Sequence, residues 1–168
     1  MDCDFDRLLK MFALMTRSFM MVGMWEKSIS KAAGGNITGA KSAVVKDRKF
    51  GKATVEALRS AKILGVRSGT EHRCIGVWVV VVDDRVFVRS WNDKPSGWFR
   101  AFKDEPTGMI QFGDRQVRVR GKAVRSQKIR DAVTKAFAEK YNTKGSRVWV
   151  EGFGEPERVV NTLEFVPR

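Results

Sequence analysis

Apolar and polar positions alternate over short stretches of this chain, and the clearest stretch predicts a β-hairpin. A continuous apolar run, Val77 to Val82, is rich in β-branched residues; Asp83 and Asp84 follow it, and then the alternating segment Arg85 to Trp91. A run of this length is too short for a lone helix and suits a strand that is buried on both faces. Because only two residues separate the strands, and because Asp tolerates positive φ, we predict a tight turn at the two aspartates.

The segments on either side of this hairpin predict further strands and three helices. Apolar residues recur at helical spacing at both ends of the folded part, and Ser126 is placed to cap the later helix. The predicted helices cover 52–64, a short segment from Gly97, and 126–141; the predicted strands lie within 66–75 and at 77–82, 85–91, 109–112, 115–124, 147–150 and 161–166. Successive tight hairpins indicate an antiparallel sheet, and a twisted sheet of this size tends to close into a barrel.

The composition divides the chain into three parts. Residues 1–25 are apolar and Met-rich, residues 26–51 are basic with many small residues, and residues 52–168 carry the periodic patterns. Lys10 and Arg17 interrupt the first part, so it makes a poor membrane span. Three interpretations of it stay open: an interfacial helix, a helix that docks on a partner, or translation from an early start codon. We expect a flexible linker after it and a single folded domain after the linker.

Net charge is the most unusual bulk property, at +13 for pH 7 with a pI near 10.2. Such a charge favours an anionic partner, namely a phosphorylated ligand, a nucleic acid or an acidic surface, although a solvated basic surface explains it equally well. Arg118, Arg120 and Lys122 form one face of a predicted strand. Together with the basic segment 41–52, this face makes a nucleic-acid-binding module an alternative function. The lack of interleaved aromatic residues favours a solvated strand face instead.

The cysteine and histidine content limits the kinds of disulfide, metal site and catalytic site that the chain can form. Cys3 and Cys74 lie far apart in the sequence, and His72 is the one histidine. This spacing provides neither a disulfide framework nor a metal site, so we expect a cytoplasmic protein without a metal. The chain also lacks a G-x-S-x-G elbow and a Cys–His pair at a recognisable spacing, and classical hydrolase chemistry is therefore not predicted.

Five short motifs follow one another along residues 52–168. They are Ser68-Gly69-Thr70, Val86-Phe87-Val88-Arg89-Ser90, Pro95-Ser96-Gly97-Trp98-Phe99, the helical Ala136-Phe137-Ala138-Glu139-Lys140-Tyr141 and the C-terminal Thr162-Leu163-Glu164-Phe165-Val166-Pro167-Arg168. In this order they resemble the flavin-binding split-barrel superfamily, which includes pyridoxamine-phosphate-oxidase-like proteins and deazaflavin-dependent nitroreductases. The closest resemblance is to an uncharacterised branch of that superfamily.

This resemblance implies a fold, a cofactor and a site. The fold would be α+β and mainly β: a six- to seven-stranded antiparallel split β-barrel with flanking helices. The cofactor would be FMN or a deazaflavin, and the protein a homodimer that exchanges electrons with a small organic substrate. Cationic and hydroxyl side chains suit phosphate oxygens, and aromatic rings suit the walls of a flavin slot. The implied cofactor-binding residues are Ser68, Thr70, Arg89, Ser90, Lys94, Trp98 and Tyr141.

Other interpretations of the same residues stay open. In one of them Arg89 pairs with Asp93 or Asp104 at the surface, and in another Trp98 serves only to anchor the short helix in the core. A third interpretation is a barrel that has lost its cofactor and has a structural or interaction role.

Overall fold

The computed structural model describes residues 48–168, which form one seven-stranded sheet with five helices around it. The predictions made for residues 1–25, and for the linker up to residue 47, lie outside the described residues. The helices are α1 (Lys52–Ser60), α2 (Trp98–Asp104), α3 (Gln127–Lys140), α4 (Arg147–Phe153) and α5 (Pro156–Val159). The strands are β1 (Leu64–Ser68), β2 (Ile75–Val77), β3 (Val79–Val82), β4 (Arg85–Arg89), β5 (Thr107–Phe112), β6 (Arg115–Ala123) and β7 (Thr162–Pro167).

All neighbouring strands are antiparallel, and the sheet curls into a nearly closed barrel with the order β2-β1-β5-β6-β7-β4-β3. The predicted α+β, mainly β, barrel of six to seven antiparallel strands is confirmed, with seven strands. The two outermost strands, β2 and β3, are consecutive in the chain and are separated by Trp78 alone. The apolar run 77–82 is therefore not one strand, because the chain bends at Trp78 and passes from one edge of the sheet to the other.

The two predicted hairpins, one with its turn at Asp83 and Asp84 and one with its turn at Gly113 and Asp114, are both present. Val82 pairs with Arg85 across Asp83 and Asp84, which have φ values of 49° and 58°. Positive φ at both central residues is the requirement of the type I′ hairpin turn, and aspartate tolerates it better than most residues. Phe112 pairs with Arg115 across Gly113 and Asp114, and in this turn Gly113 has a positive φ of 53° whereas Asp114 does not.

The sheet buries side chains on both of its faces. The inner face forms the main core with α1 and α2; the core includes Leu58, Leu64, Val66, Val79, Val86, Val88, Phe102, Ile110, Val119, Leu163 and Phe165. The outer face of β3 and β4 packs against α3 and α4 through Val80, Phe87, Val133, Phe137 and Phe153. A strand with apolar residues on both faces is the expected consequence, and it explains the uninterrupted valines of β3.

Helix α2 lies against the sheet at glycine positions. A Cβ at Gly108 would collide with the carbonyl oxygen of Arg67 and would lie 2.8 Å from the ring of Phe102. A Cβ at Gly121 would lie 3.0 Å from the same ring. A Cβ at Gly108 would not be tolerated and one at Gly121 would be unusually tight, so the two glycines let Phe102 reach the centre of the barrel.

Two further sequence predictions differ from the structure, one for residues 147–150 and one for the first helix. Residues 147–150 were expected to be a strand, but they begin helix α4. Arg-Val-Trp-Val has strand composition, and here tertiary packing overrides it because Val150 and Phe153 both contact the outer core. The first predicted helix also ends at Ser60 rather than at residue 64, because Leu64 already belongs to β1.

Candidate functional site

The serine and threonine of the first motif lie at the end of β1, beside helix α2. Ser68 is buried, and its hydroxyl donates towards the carbonyl oxygens of Glu105 at 2.8 Å and Ala101 at 3.0 Å. It therefore satisfies the last turn of α2. Thr70 is exposed, and its hydroxyl donates to the carboxylate of Glu71 at 3.1 Å. Of these two hydroxyls, only that of Thr70 is open to solvent.

Arg89 is buried in the outer core, where only 2% of its surface is exposed. Its Nε donates to Thr162 Oγ1 at 2.9 Å, and Nη1 donates to Thr134 Oγ1 at 2.9 Å and to the carbonyl of Phe153 at 2.6 Å. Nη2 donates to the carbonyl of Arg130 at 3.1 Å. The guanidinium thus joins β4, β7, α3 and α4, and every acceptor is a neutral oxygen.

The charge of Arg89 is costly in this position. Burial, assisted by the nearby Arg130 and opposed by Asp131, lowers the pKa of Arg89 to about 10. A buried cation needs several good hydrogen bonds to offset its lost hydration, and the four neutral acceptors supply them. The alternative in which Arg89 pairs with Asp93 at the surface is wrong, because Asp93 pairs instead with Arg100 at 2.9 Å and with Lys103 at 3.2 Å.

Ser90, Lys94 and Trp98 lie along the loop that leads from β4 into α2. Ser90 is buried and donates to the carbonyl of Asn92 at 2.7 Å, so its hydroxyl holds the loop together. Lys94 is exposed, and its carbonyl accepts the amide of Gly97 at 2.9 Å just before the helix. Trp98 is half-buried, packs on the main core and meets Phe99 edge-on with the ring centroids 6.0 Å apart. The loop therefore leaves the Lys94 side chain exposed and the Trp98 indole partly open.

A cluster of charged side chains, Asp93, Lys94, Arg100 and Lys103, surrounds the start of α2. Asp93 accepts from both Arg100 and Lys103, whose side chains are each 39% exposed. Arg100 Nε is buried and has no acceptor among the described residues. Arg100 and Lys103 share the carboxylate of Asp93, and Lys94 adds a third cation, so the group carries a net positive charge. We call this group the α2 cation cluster.

Tyr141 belongs to a different part of the molecule, the seam where the barrel nearly closes. Its hydroxyl accepts the amide of Val79 at 3.0 Å and donates to the carbonyl of Lys62 at 2.7 Å. Its ring stacks on Trp78, with the centroids 4.4 Å apart and the planes 8° from parallel. Lys140 Nζ donates to the carbonyl oxygens of Val79 at 2.8 Å and Leu58 at 3.3 Å. The end of α3 thus satisfies the backbone of edge strand β3.

Burial shifts both titratable groups at this seam, and the shifts predict a pH dependence. Desolvation, with help from Arg59, lowers the pKa of Lys140 from 10.5 to about 8, and burial raises the pKa of Tyr141 well above 10. Between about pH 8 and pH 10 the folded chain binds fewer protons at Lys140 than the unfolded chain, so stability rises with pH. Above pH 10, Tyr141 acts in the opposite direction, because the folded chain retains a proton that the unfolded chain releases.

We therefore expect the free energy of unfolding to increase by about 1–2 kcal/mol from pH 8 to pH 10, a value reduced from the full shift because Lys140 is partly solvated. Urea unfolding at both pH values measures it. Lys140→Met is the control, since the basic chain also loses self-repulsion as the pH nears its pI. An equal rise in Lys140→Met and in the parent chain would contradict this prediction.

The seven residues implied by the resemblance fall into four places. Ser68 and Thr70 lie near the end of α2, Ser90, Lys94 and Trp98 lie near its start, and Tyr141 lies at the barrel seam. Arg89 points into the outer core. Thr70, Lys94 and Trp98 are accessible, whereas the polar groups of the other four are bonded inside the protein. Whether any of the seven binds a cofactor stays a prediction.

The sequence alone does not mark Asp93, Arg100 and Lys103 as a group. A signal existed, since Arg100 and Lys103 are three residues apart on a predicted helix and therefore share a face. The turn that brings Asp93 back onto that face could not be predicted from the sequence.

No group of three potential metal ligands is found within 48–168. No helix of this range is long and apolar enough to cross a membrane.

The seven-stranded antiparallel barrel with flanking helices defines a split-barrel protein. The chain belongs to the DUF2255 family, described as uncharacterised proteins conserved in bacteria, whose model matches residues 53–164. This match begins in α1 and ends within β7, so it includes strands β1 to β6, the start of β7, the α2 cation cluster and the seam. A comparison with curated proteins finds no match.

Solved structures with a similar fold share little sequence with this chain. The conserved hypothetical protein Rv2991 from Mycobacterium tuberculosis is 13% identical, with 76% of this chain and 84% of that chain covered and a TM-score of 0.48. A FAD-binding protein from Mesorhizobium loti is 9% identical, with 71% and 90% covered and a TM-score of 0.42. Because both TM-scores are below 0.5, these similarities carry no argument about the ligand or the activity of this chain.

Proposed function

We propose that this split-barrel protein binds FMN or a deazaflavin, with the phosphate held at the α2 cation cluster and the ring system near Trp98. The observation that carries the proposal is the excess of donors at the start of α2. Arg100 and Lys103 share one carboxylate, Lys94 beside them is exposed, and Arg100 Nε has no acceptor among the described residues. Phosphate oxygens are strong acceptors that suit both an arginine fork and lysine point charges.

The residues near α2 would have separate roles. Lys94 and Arg100 would bind phosphate oxygens, Asp93 would hold Arg100 in position, and Trp98 would cover one side of the ring. The bound cofactor would supply electron transfer to or from a small organic substrate. A homodimer, which the family resemblance implies, would complete a site that is open on the single chain. Light scattering on the purified protein measures that oligomeric state.

Cofactor titration tests the proposal directly. We expect the full chain to quench the fluorescence of one of the two cofactors at micromolar concentration, and we expect Lys94→Gln with Arg100→Gln to weaken binding about tenfold or more. Lys135→Gln is the matched control, because Lys135 is 79% exposed on α3 and has only a loose ion pair with Glu139 at 3.8 Å. A control that weakens binding as much as the double variant would indicate general charge attraction.

The burial of Arg89, Ser68 and Tyr141 favours a second candidate, the barrel without a cofactor. The polar atoms of these residues are bonded inside the protein, as a structural role requires. A well-folded chain that binds neither FMN nor the deazaflavin would support this candidate. In that case, salt-dependent nucleic-acid binding through exposed Arg118 and Arg120 is the next measurement, and its absence at low salt would exclude the remaining alternative.

A further inference from the structure

Four neighbouring strands, β1, β5, β6 and β7, present a basic outer face to solvent. The larger helices lie elsewhere, because α1 and α2 pack on the inner side of the sheet and α3 and α4 cover the outer side of β3 and β4. Gln116, Arg118 and Arg120 of β6 are exposed. They point outward, since the alternate residues Val117 and Val119 pack in the main core. We call this surface the β6 basic face.

Arg118 and Arg120 have neutral neighbours on this face. The strand register places Met109 of β5 beside Arg118. It places Thr107 of β5 and Val166 of β7 on the two sides of Arg120. Neither arginine side chain forms an ion pair or a hydrogen bond within residues 48–168. Both guanidinium groups therefore keep their donors available to a partner.

The charges around the two arginines leave the face positive. Lys122 follows them in the outward row of β6, and Arg67 lies on β1. Glu164 is opposite Lys122, but it also binds Arg85 through both carboxylate oxygens, at 2.7 and 2.6 Å. Glu105 is exposed at one edge, beside the start of β5. Because basic side chains outnumber acidic ones here, the face attracts anions.

The side chains of the β6 basic face suit phosphate groups better than a protein surface. Arginine forks bind phosphate oxygens through paired hydrogen bonds. Protein interfaces are centred on apolar or aromatic side chains, and the large exposed hydrophobics of residues 48–168 lie instead at α4 and α5; they are Val148, Trp149 and Val160. Single-stranded nucleic acids stack their bases on aromatic rings, and the outward positions of β5 and β6 hold none. A duplex presents its phosphates without such rings.

We propose that the β6 basic face binds the phosphate backbone of double-stranded nucleic acid. Arg118 and Arg120 each bind a phosphate, and Lys122 and Arg67 add attraction over a longer range. The outward row from Gln116 to Lys122 spans about 20 Å, a length along which a duplex strand presents several phosphates. A face four strands wide does not enter a groove that admits a helix or a two-stranded ribbon. Binding is therefore independent of base sequence.

Fluorescence anisotropy of a labelled DNA duplex of mixed sequence, titrated with the full chain at several salt concentrations, tests the proposal. We expect Arg118→Gln with Arg120→Gln to weaken binding about tenfold or more at low salt. The slope of log K against log salt should become shallower by about 1.8, because each lost phosphate contact removes about 0.9. Lys128→Gln with Lys135→Gln is the matched control, since it removes the same charge from exposed positions of α3. It should weaken binding less than about threefold.

Equal weakening by the two double variants would overturn the proposal, because the attraction would then come from the net charge of the chain, including the basic residues 26–51. So would the absence of duplex binding, or tighter binding of the single strand. Equally tight binding of polyglutamate would also overturn it and would indicate an acidic protein as the partner. Arg118→Gln with Arg120→Gln should leave the cofactor titration unchanged, so a failure here is distinct from a failure of the cofactor proposal.

Discussion

Replacing Arg89 with alanine is expected to lower the free energy of unfolding by about 2–4 kcal/mol. The substitution removes one of the largest fully buried side chains and the donors for four oxygen atoms, including the carbonyls of Phe153 and Arg130. Two costs add up, because a cavity opens between β4, α3 and α4, and buried carbonyls lose their partners. Urea unfolding, followed by tryptophan fluorescence, measures the loss.

Two further variants separate charge from shape at this position. Arg89→Lys keeps the cation but has three donors on one nitrogen, so it cannot reach four acceptors spread over four elements, and we expect a loss of about 1–2 kcal/mol. Arg118→Ala removes an exposed arginine of β6 and should change stability by less than about 0.5 kcal/mol. If Arg89→Ala proved as stable as Arg118→Ala, the guanidinium would not be a structural link. Any effect of Arg89→Ala on cofactor binding has to be measured where the variant is still folded.

Tyr141→Phe is expected to cost about 1–3 kcal/mol, although it removes a single oxygen atom. The hydroxyl accepts the amide of Val79 and donates to the carbonyl of Lys62. Val79 is fully buried, so its amide loses its acceptor in the variant and finds no water to replace it. The stack of the ring on Trp78 is retained, which confines the change to the hydrogen bonds.

Hydrogen exchange identifies the origin of that loss. In Tyr141→Phe, the amide of Val79 should exchange faster than amides in the middle of the sheet, such as that of Val119. Thr70→Val is the control for removing a hydroxyl, since Thr70 is exposed and its hydroxyl reaches only Glu71. A Tyr141→Phe chain with unchanged Val79 exchange would show that the seam does not depend on this hydroxyl.

Local patterns in the sequence account for most of the fold. The turn at Asp83 and Asp84, the alternation along β6 and the apolar stripe of α3 each follow from neighbouring residues. The bend at Trp78 does not follow from neighbouring residues. It depends on the closing of the barrel between β2 and β3, which lie at opposite ends of the strand order. Helix α4 differs from the predicted strand for a similar reason. Its valines and Trp149 have strand propensity, and only their tertiary packing makes the segment helical.

The candidate site was harder to predict than the fold. The residue types at Ser68, Arg89 and Ser90 suit a phosphate, but the same groups also suit a buried carbonyl, and the structure places them against carbonyls. Sequence shows which donors exist, whereas their acceptors are set by tertiary contacts. The α2 cation cluster shows the converse. None of its residues suggests a site by itself, and only the fold brings Arg100 and Lys103 to the carboxylate of Asp93.

The bend at Trp78 joins β2 and β3, which are the two edge strands of the sheet. The barrel can therefore open between these two strands while all the paired strands stay hydrogen-bonded. An opened barrel would offer two unpaired strand edges, and such edges pair readily with those of other molecules and lead to aggregation. Tyr141 and Lys140 fill the hydrogen-bonding positions of Val79 that a foreign strand would use. The end of α3 therefore protects solubility at the point where this fold is most exposed to intermolecular strand exchange.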